Sequence, residues 1–71
     1  MMRSQEQIDW LRLNQITCGI EESGRCCYLG PRGSAYARDW AHKVWDVYQA
    51  GRRVAEQVSE RDALLAIRGP R

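Results

Sequence analysis

The sequence lacks any long apolar run. No stretch approaches the roughly 18–20 consecutive apolar residues that a membrane-spanning helix requires. Residues 1–7 lack the apolar core of a secretory signal. With 71 residues, 44% of them hydrophobic and 28% charged, the chain is typical of one small globular domain, residues 1–71, and not of a disordered segment. We therefore expect a cytoplasmic protein without membrane contact.

Disulfide, metal and catalytic signatures are also missing. The three cysteines, Cys18, Cys26 and Cys27, are odd in number and two are adjacent, which excludes a disulfide framework and indicates reduced thiols. His42, the only histidine, could join them in a zinc site, but their spacing differs from the paired Cys knuckles of small zinc modules. Gly30-Pro31-Arg32-Gly33 lacks the pattern of a phosphate-binding loop. The sequence predicts no enzyme activity, no cofactor and no bound metal.

Helix-start signals divide the chain into three predicted helices. Ser4 and Gln7 have capping-box spacing, so they mark the start of the first helix. Ser34 and Ser59 are cap residues for two further helices, separated from the first by a segment rich in glycine. Within that segment, Gly30-Pro31-Arg32-Gly33 predicts a turn. The predicted elements are a helix at about residues 5–21, a connector at 22–33, a long amphipathic helix at about 35–58 and a short helix at about 60–68. The predicted fold class is all-α: a small helical hairpin with a short C-terminal helix or extension.

The apolar residues of these helices exceed what one short hairpin can bury. The first helix is apolar on two sides, and a second helix of about 25 residues spans about 37 Å, more than the diameter of a compact globule of this size. A homodimer would bury both surfaces, so we expect one. The predicted core and dimer contacts are Ile8, Leu11, Leu13, Ile16, Ile20, Tyr36, Trp40, Val44, Val47, Tyr48 and Val54.

Trp45 is the leading candidate for contact with another protein. At 100° per residue, it lies on the charged side of the predicted long helix, away from that helix's apolar stripe. Tryptophan and arginine are enriched in binding hot spots, so we predict that Trp45 enters a pocket of the target while arginines pair with acids around it. The predicted partner-binding patch comprises Arg38, Ala41, Trp45, Gln49 and Arg52. The alternative is that the first helix or the C-terminal segment covers Trp45 and makes it a core residue.

These observations favour binding without catalysis. A chain this short, with one candidate hot spot and no catalytic set, is typical of a small regulator or inhibitor that occludes a larger host protein. Phages and mobile elements encode proteins of this size and style, and the assignment is an analogy of kind.

The basic middle of the chain supports a second class of partner. Residues 25–53 carry six basic and two acidic side chains, a local charge of +4, and five of the six are arginine. Tyr28, Trp45 and Tyr48 lie among them, and single-strand and RNA binders mix cations with aromatics in this way. Nucleic acid or the ribosome is therefore the alternative partner.

One family comparison bears on this alternative. The succession Cys26-Cys27-Tyr28, Arg38, Trp40 and Trp45 resembles ribosome modulation factor and related short bacterial proteins over residues 24–45. The family's Cys-Pro-Tyr step is absent, and the two tryptophans are one residue further apart than in the family. The resemblance implies a ribosome- or RNA-associated factor that uses the arginine-rich middle segment.

Overall fold

The computed structural model describes residues 4–39 and 41–68, which are dominated by strands. Five strands form one antiparallel sheet in chain order, so each strand pairs with its neighbours in sequence. One helix precedes the sheet and another follows it. The elements are α1 (Gln5–Leu13), β1 (Thr17–Ile20), β2 (Cys26–Gly30), β3 (Gly33–Ala37), β4 (Trp45–Gln49), β5 (Arg52–Val58) and α2 (Glu60–Ile67). The predicted all-α fold with its helical hairpin is therefore wrong.

The largest correction concerns residues 35–58, where β3, β4 and β5 replace the predicted long helix. Ser34, predicted as the cap of that helix, is a residue of β3. The apolar side chains of this segment also fit a two-residue alternation, because Ala35, Ala37, Trp45 and Val47 all lie on one sheet face and are buried. Aromatic and β-branched residues favour strands. Antiparallel pairing of Ala35 with Val47, and of Ala37 with Trp45, brings these side chains together across two strands. The apolar pattern that predicted one long helix in this segment therefore belongs to three strands of a sheet.

A tight turn separates β4 from β5 at Ala50 and Gly51. Their φ angles are 53° and 78°. Two successive left-handed residues are the geometry of a type I′ hairpin turn, whose twist matches the strands that it joins. Glycine adopts this conformation without a steric penalty. Gly51 therefore marks a reversal of the chain where a continuous helix was expected.

α1 begins where the sequence predicts and ends earlier. Ser4 Oγ accepts a hydrogen bond from Gln7 N, and the Gln7 side chain accepts one from Ser4 N, which confirms the capping box. The helix ends at Leu13 instead of near residue 21, and Ile16 N then donates to Leu11 O at 2.9 Å. The residues after it enter β1, which explains why the predicted first helix was apolar on two sides.

Residues 22–33 do not form the predicted irregular connector, because they contain β2. Its turn is present at Pro31 and Arg32, between the paired residues Gly30 and Gly33. A Cβ at Gly30 would collide with the carbonyl of Ile67. Arg32 N donates to that same carbonyl oxygen at 3.1 Å. The turn therefore anchors the C-terminal end of α2 to the sheet.

α2 covers one face of the sheet. Ser59 caps this helix, as the sequence predicts, by accepting a hydrogen bond from Asp62 N at 3.1 Å. Ala63 and Ile67 are fully buried in the core. The rest of the core consists of Leu11, Ile16, Tyr28, Ala35, Ala37, Trp45 and Val47. Since residues of both helices join this one cluster, α1 and α2 lie on the same side of the sheet, and no described helix lies on the other side.

The residues predicted as core or dimer contacts fall into three groups. Leu11, Ile16 and Val47 are buried, Tyr36, Val44 and Tyr48 are half-buried, and Ile8, Leu13, Ile20 and Val54 are exposed. Trp40 lies outside the described residues. The homodimer stays a prediction, although the overlong helix that motivated it is absent.

Candidate functional site

No described element covers the sheet face opposite the two helices. Strand alternation directs to it the side chains that lie between the core positions. The turn between β1 and β2 and the segment after β3 add further side chains at one end. We name this surface the open face. It comprises Glu21, Arg25, Cys27, Leu29, Ser34, Tyr36, Arg38, Asp46, Tyr48, Arg53 and Glu56.

Two tyrosines form the centre of the open face. Tyr36 of β3 and Tyr48 of β4 lie diagonally across the strand pair, because Tyr48 pairs with Ser34. Their ring centroids are 5.6 Å apart at an interplanar angle of 83°, an edge-to-face contact. Such contacts contribute about 0.5–1.5 kcal/mol beyond burial, so each ring holds the other in place. Leu29, 50% exposed on β2, extends this aromatic centre with apolar surface.

Ion pairs surround the aromatic centre. Arg38 Nε lies 3.3 Å from Asp46 Oδ2, while Asp46 Oδ1 accepts a hydrogen bond from Gln57 N at 3.2 Å. Asp46 is only 9% exposed, so a nearly buried carboxylate fixes the Arg38 guanidinium. On the side of β5, Arg53 Nη2 lies 3.0 Å from Glu56 Oε2. The charges nearest the tyrosines therefore compensate one another.

A depression of about 400 Å³ opens at one end of this face. Its lining combines two tyrosines, two arginines and two carboxylates: Glu21, Arg25, Tyr36, Ala37, Arg38, Asp46 and Tyr48. No cysteine or histidine is among these described lining residues, so the depression holds no pair of a thiol and an imidazole base. Chemically, the arrangement can donate and accept hydrogen bonds and pack against apolar groups.

Trp45 lies on the helix side of the sheet, opposite the open face, and is 0% exposed. Its ring stacks on Tyr28, with centroids 4.9 Å apart at 23°, and its Nε1 donates to His42 O at 2.8 Å. α2 belongs to the C-terminal segment and packs over the same cluster. The structure thus corresponds to the alternative stated for this residue, in which the C-terminal segment makes Trp45 a core side chain. In this position the ring offers no surface to a partner.

The other residues of the predicted patch do not form one stripe. Gln49 Nε2 donates to Ala66 O in α2 at 3.3 Å, so this side chain lies on the helix side. Ala41 is exposed between β3 and β4, and Arg52 is exposed at the start of β5. Arg38 is the member that lies on the open face. The helical spacing that grouped these residues disappears with the helix.

The sequence interpretation assigned Tyr36 and Tyr48 to the core or the dimer contact and missed their place on an open surface. A signal was present in β4. Its five residues place Trp45 and Val47 at alternate positions, and Asp46 and Tyr48 between them. This two-residue period is that of a half-buried strand. Under it, Tyr48 falls on the face opposite Val47.

The three cysteines are free thiols in different surroundings. Cys18 is exposed on β1, Cys26 is half-buried, and Cys27 is a buried member of the open face. Burial raises the pKa of the Cys27 thiol above its ordinary value, and the negative charge of Glu21 raises it further. A raised pKa keeps the thiol protonated and opposes a nucleophilic role. Within residues 4–39 and 41–68, no group of three or more His, Cys, Asp or Glu side chains is placed to hold a metal ion.

Comparison of the chain with protein-family models, with curated proteins and with solved structures gave no match. No helix formed by the described residues is both long enough and apolar enough to span a membrane. The functional interpretation therefore depends on the geometry of the open face.

Proposed function

We propose that this protein is a non-catalytic regulator that docks its open face on a larger host protein and occludes it. The observation that carries this proposal is the anatomy of the face. Tyr36, Tyr48 and Leu29 form an aromatic and aliphatic centre, and compensated ion pairs form its rim. Protein interfaces share this plan, with tyrosine and arginine enriched and a polar, solvent-accessible rim.

The order already present in the face supports binding. Immobilising a side chain on association costs about 0.5–1.5 kcal/mol, which lowers affinity. Tyr36 and Tyr48 already hold each other edge to face, and Asp46 already holds Arg38. These side chains therefore lose less freedom when a partner docks. A hot spot of this kind loses at least about 2 kcal/mol when one central side chain is truncated.

Charge favours a protein over a nucleic acid as the partner. The open face carries three arginines and three carboxylates, so its formal charges cancel. A surface that neutralises phosphates needs a surplus of cations. The ribosome or an RNA remains the competing outcome of the test. The proposed place of action is the cytoplasm, where the three free thiols would stay reduced.

Affinity capture from a lysate of the native host tests the proposal. The wild type is compared with Tyr48→Ala, on the open face, and with Leu13→Ala, at an 80%-exposed site on α1. We expect one protein to be retained by the wild type and by Leu13→Ala, and its affinity for Tyr48→Ala to fall about 30-fold, the equivalent of 2 kcal/mol. Nuclease treatment should leave the capture unchanged.

A second variant keeps the test independent of folding. Leu29→Asp places a charge beside the tyrosines at a half-exposed position, and circular dichroism checks that each variant is folded. Equal capture by all variants would contradict the proposal. So would recovery of RNA or ribosomal proteins that nuclease abolishes and that weakens steeply between about 50 and 200 mM salt.

A further inference from the structure

A second concavity lies on the helix side of the sheet, away from the open face. α1 and α2 border a groove of about 430 Å³, within the range of about 300–1,000 Å³ that is typical of ligand pockets. The apolar part of its lining comes from Trp10 and Leu11 of α1 and from Leu64 and Leu65 of α2. Trp10 and Leu64 are half-buried and Leu65 is 43% exposed. The groove thus presents apolar surface to solvent.

Two guanidinium groups accompany these walls. Arg61, Leu64 and Leu65 of α2 follow the spacing i, i+3, i+4, and Arg68, the cap residue directly after the helix, continues the stripe at i+7. Within residues 4–39 and 41–68, neither Arg61 nor Arg68 forms an ion pair with a carboxylate. The stripe therefore offers apolar contact in its middle and an available positive charge at each end.

The groove's acidic side chain is already engaged. Glu60 is the carboxylate among the described lining residues, and its Oε2 accepts a hydrogen bond from Tyr28 Oη at 2.7 Å. The Tyr28 ring is fixed in turn by its stack on Trp45. Two cations face one carboxylate, so the groove has a net positive charge. This charge and the apolar walls are complementary to a molecule with an apolar chain and an anionic end.

We propose that the groove binds a free, small amphipathic carboxylate, with its chain against Trp10 and the leucines and its carboxylate on a guanidinium of the stripe. Guanidinium groups bind carboxylates through paired, charge-assisted hydrogen bonds, which orient the ligand. The apolar walls remove its chain from water. A cationic amphiphile would meet two like charges instead. The inference is independent of the proposed function, because the groove and the open face lie on opposite sides of the sheet.

Calorimetric titration of the full chain tests the inference with decanoate, below its micellar concentration, and with decyltrimethylammonium as the cationic counterpart. We expect saturable one-to-one binding of decanoate and at least about tenfold weaker binding of the cation, a difference that calorimetry resolves. The absence of saturable decanoate binding, or equal affinity for both amphiphiles, would overturn the proposal.

Matched variants localise the binding. Leu65→Glu places a negative charge in the groove at a partly exposed position, and Leu13→Glu makes the same change on α1 at a site outside it. We expect Leu65→Glu, and the double variant Arg61→Gln/Arg68→Gln, each to weaken decanoate binding at least about tenfold, whereas Leu13→Glu leaves it unchanged. Equal losses in the two Glu variants, or no loss in the double variant, would exclude the groove as the site. Circular dichroism verifies the fold of each variant.

Discussion

Replacing Trp45 with alanine removes the largest fully buried side chain of the described core. Truncating a buried aromatic residue to alanine costs about 3–5 kcal/mol, from lost burial and from the cavity left behind. At about 0.05–0.15 kcal/mol per residue, a chain of 71 residues has a free energy of unfolding of about 4–11 kcal/mol. We therefore expect Trp45→Ala to lose about a quarter or more of its stability, and to unfold outright if the wild type lies at the low end of this range.

Trp45→Phe separates packing from hydrogen bonding. Phenylalanine keeps an aromatic ring to stack on Tyr28 but removes the donor to His42 O. Loss of that partner and of part of the ring volume should cost about 1–3 kcal/mol. Leu13→Ala, at an 80%-exposed site, should change stability by less than about 0.5 kcal/mol.

Urea denaturation followed by far-ultraviolet circular dichroism measures all three variants against the wild type. We expect the unfolding midpoints to fall in the order wild type and Leu13→Ala, then Trp45→Phe, then Trp45→Ala. A folded Trp45→Ala protein with the wild-type midpoint would refute the assignment of Trp45 to the core. It would instead restore the sequence-based prediction that this ring binds a partner.

Two further predictions follow from the thiols and from Asp39. Under native conditions we expect iodoacetamide to modify Cys18 first and Cys27 last, because Cys27 is buried and burial raises the pKa of its thiol. Peptide mass spectrometry over time measures the order of modification. Rapid labelling of Cys27 would contradict the prediction. Asp39 Oδ1 accepts hydrogen bonds from Val44 N and Lys43 N, at 3.2 and 3.0 Å, and these bonds lower the pKa of Asp39 below 3.8. A lowered folded-state pKa stabilises the fold at pH values above the ordinary one, and this contribution is lost as the pH falls through the folded-state value. Asp39→Asn should therefore flatten the decline of the urea midpoint on acidification below about pH 4, and an unchanged pH profile would show that these bonds do not favour the carboxylate.

The starts of both helices could be predicted from the sequence because the signals are local. Ser4 with Gln7, and Ser59 before Asp62, satisfy backbone N–H groups only three residues away, so a few adjacent residues indicate each cap. The same kind of signal at Ser34 was wrong, because that residue pairs with Leu29 and Tyr48 in the sheet. The turn at Pro31 and Arg32 is equally local, since proline restricts its own φ angle.

The strands could not be predicted in the same way. β3 and β4 have five residues each, so each offers only two or three positions on one face, too few to separate a two-residue period from a helical one. The pairing register of β5 with β4 shifts on both sides of Val47, and this shift interrupts the alternation of buried and exposed side chains along β5. Strand hydrogen bonds also join residues distant in the chain, and no local pattern reports such pairing.

The sequence by itself determined the two helix starts, the reversal at residues 30–33 and the small, largely apolar set of side chains from which a core could form. The tertiary structure alone decided which of those side chains are buried. Trp45 and Tyr48 are three residues apart, a spacing that separates them by only about 60° around a helix but puts them on opposite faces of a strand. Pairing of β4 with β3, and the packing of α2 on one face, sent Trp45 into the core and left Tyr48 on the open face. The identity of the candidate site therefore depends on strand register, which long-range pairing sets.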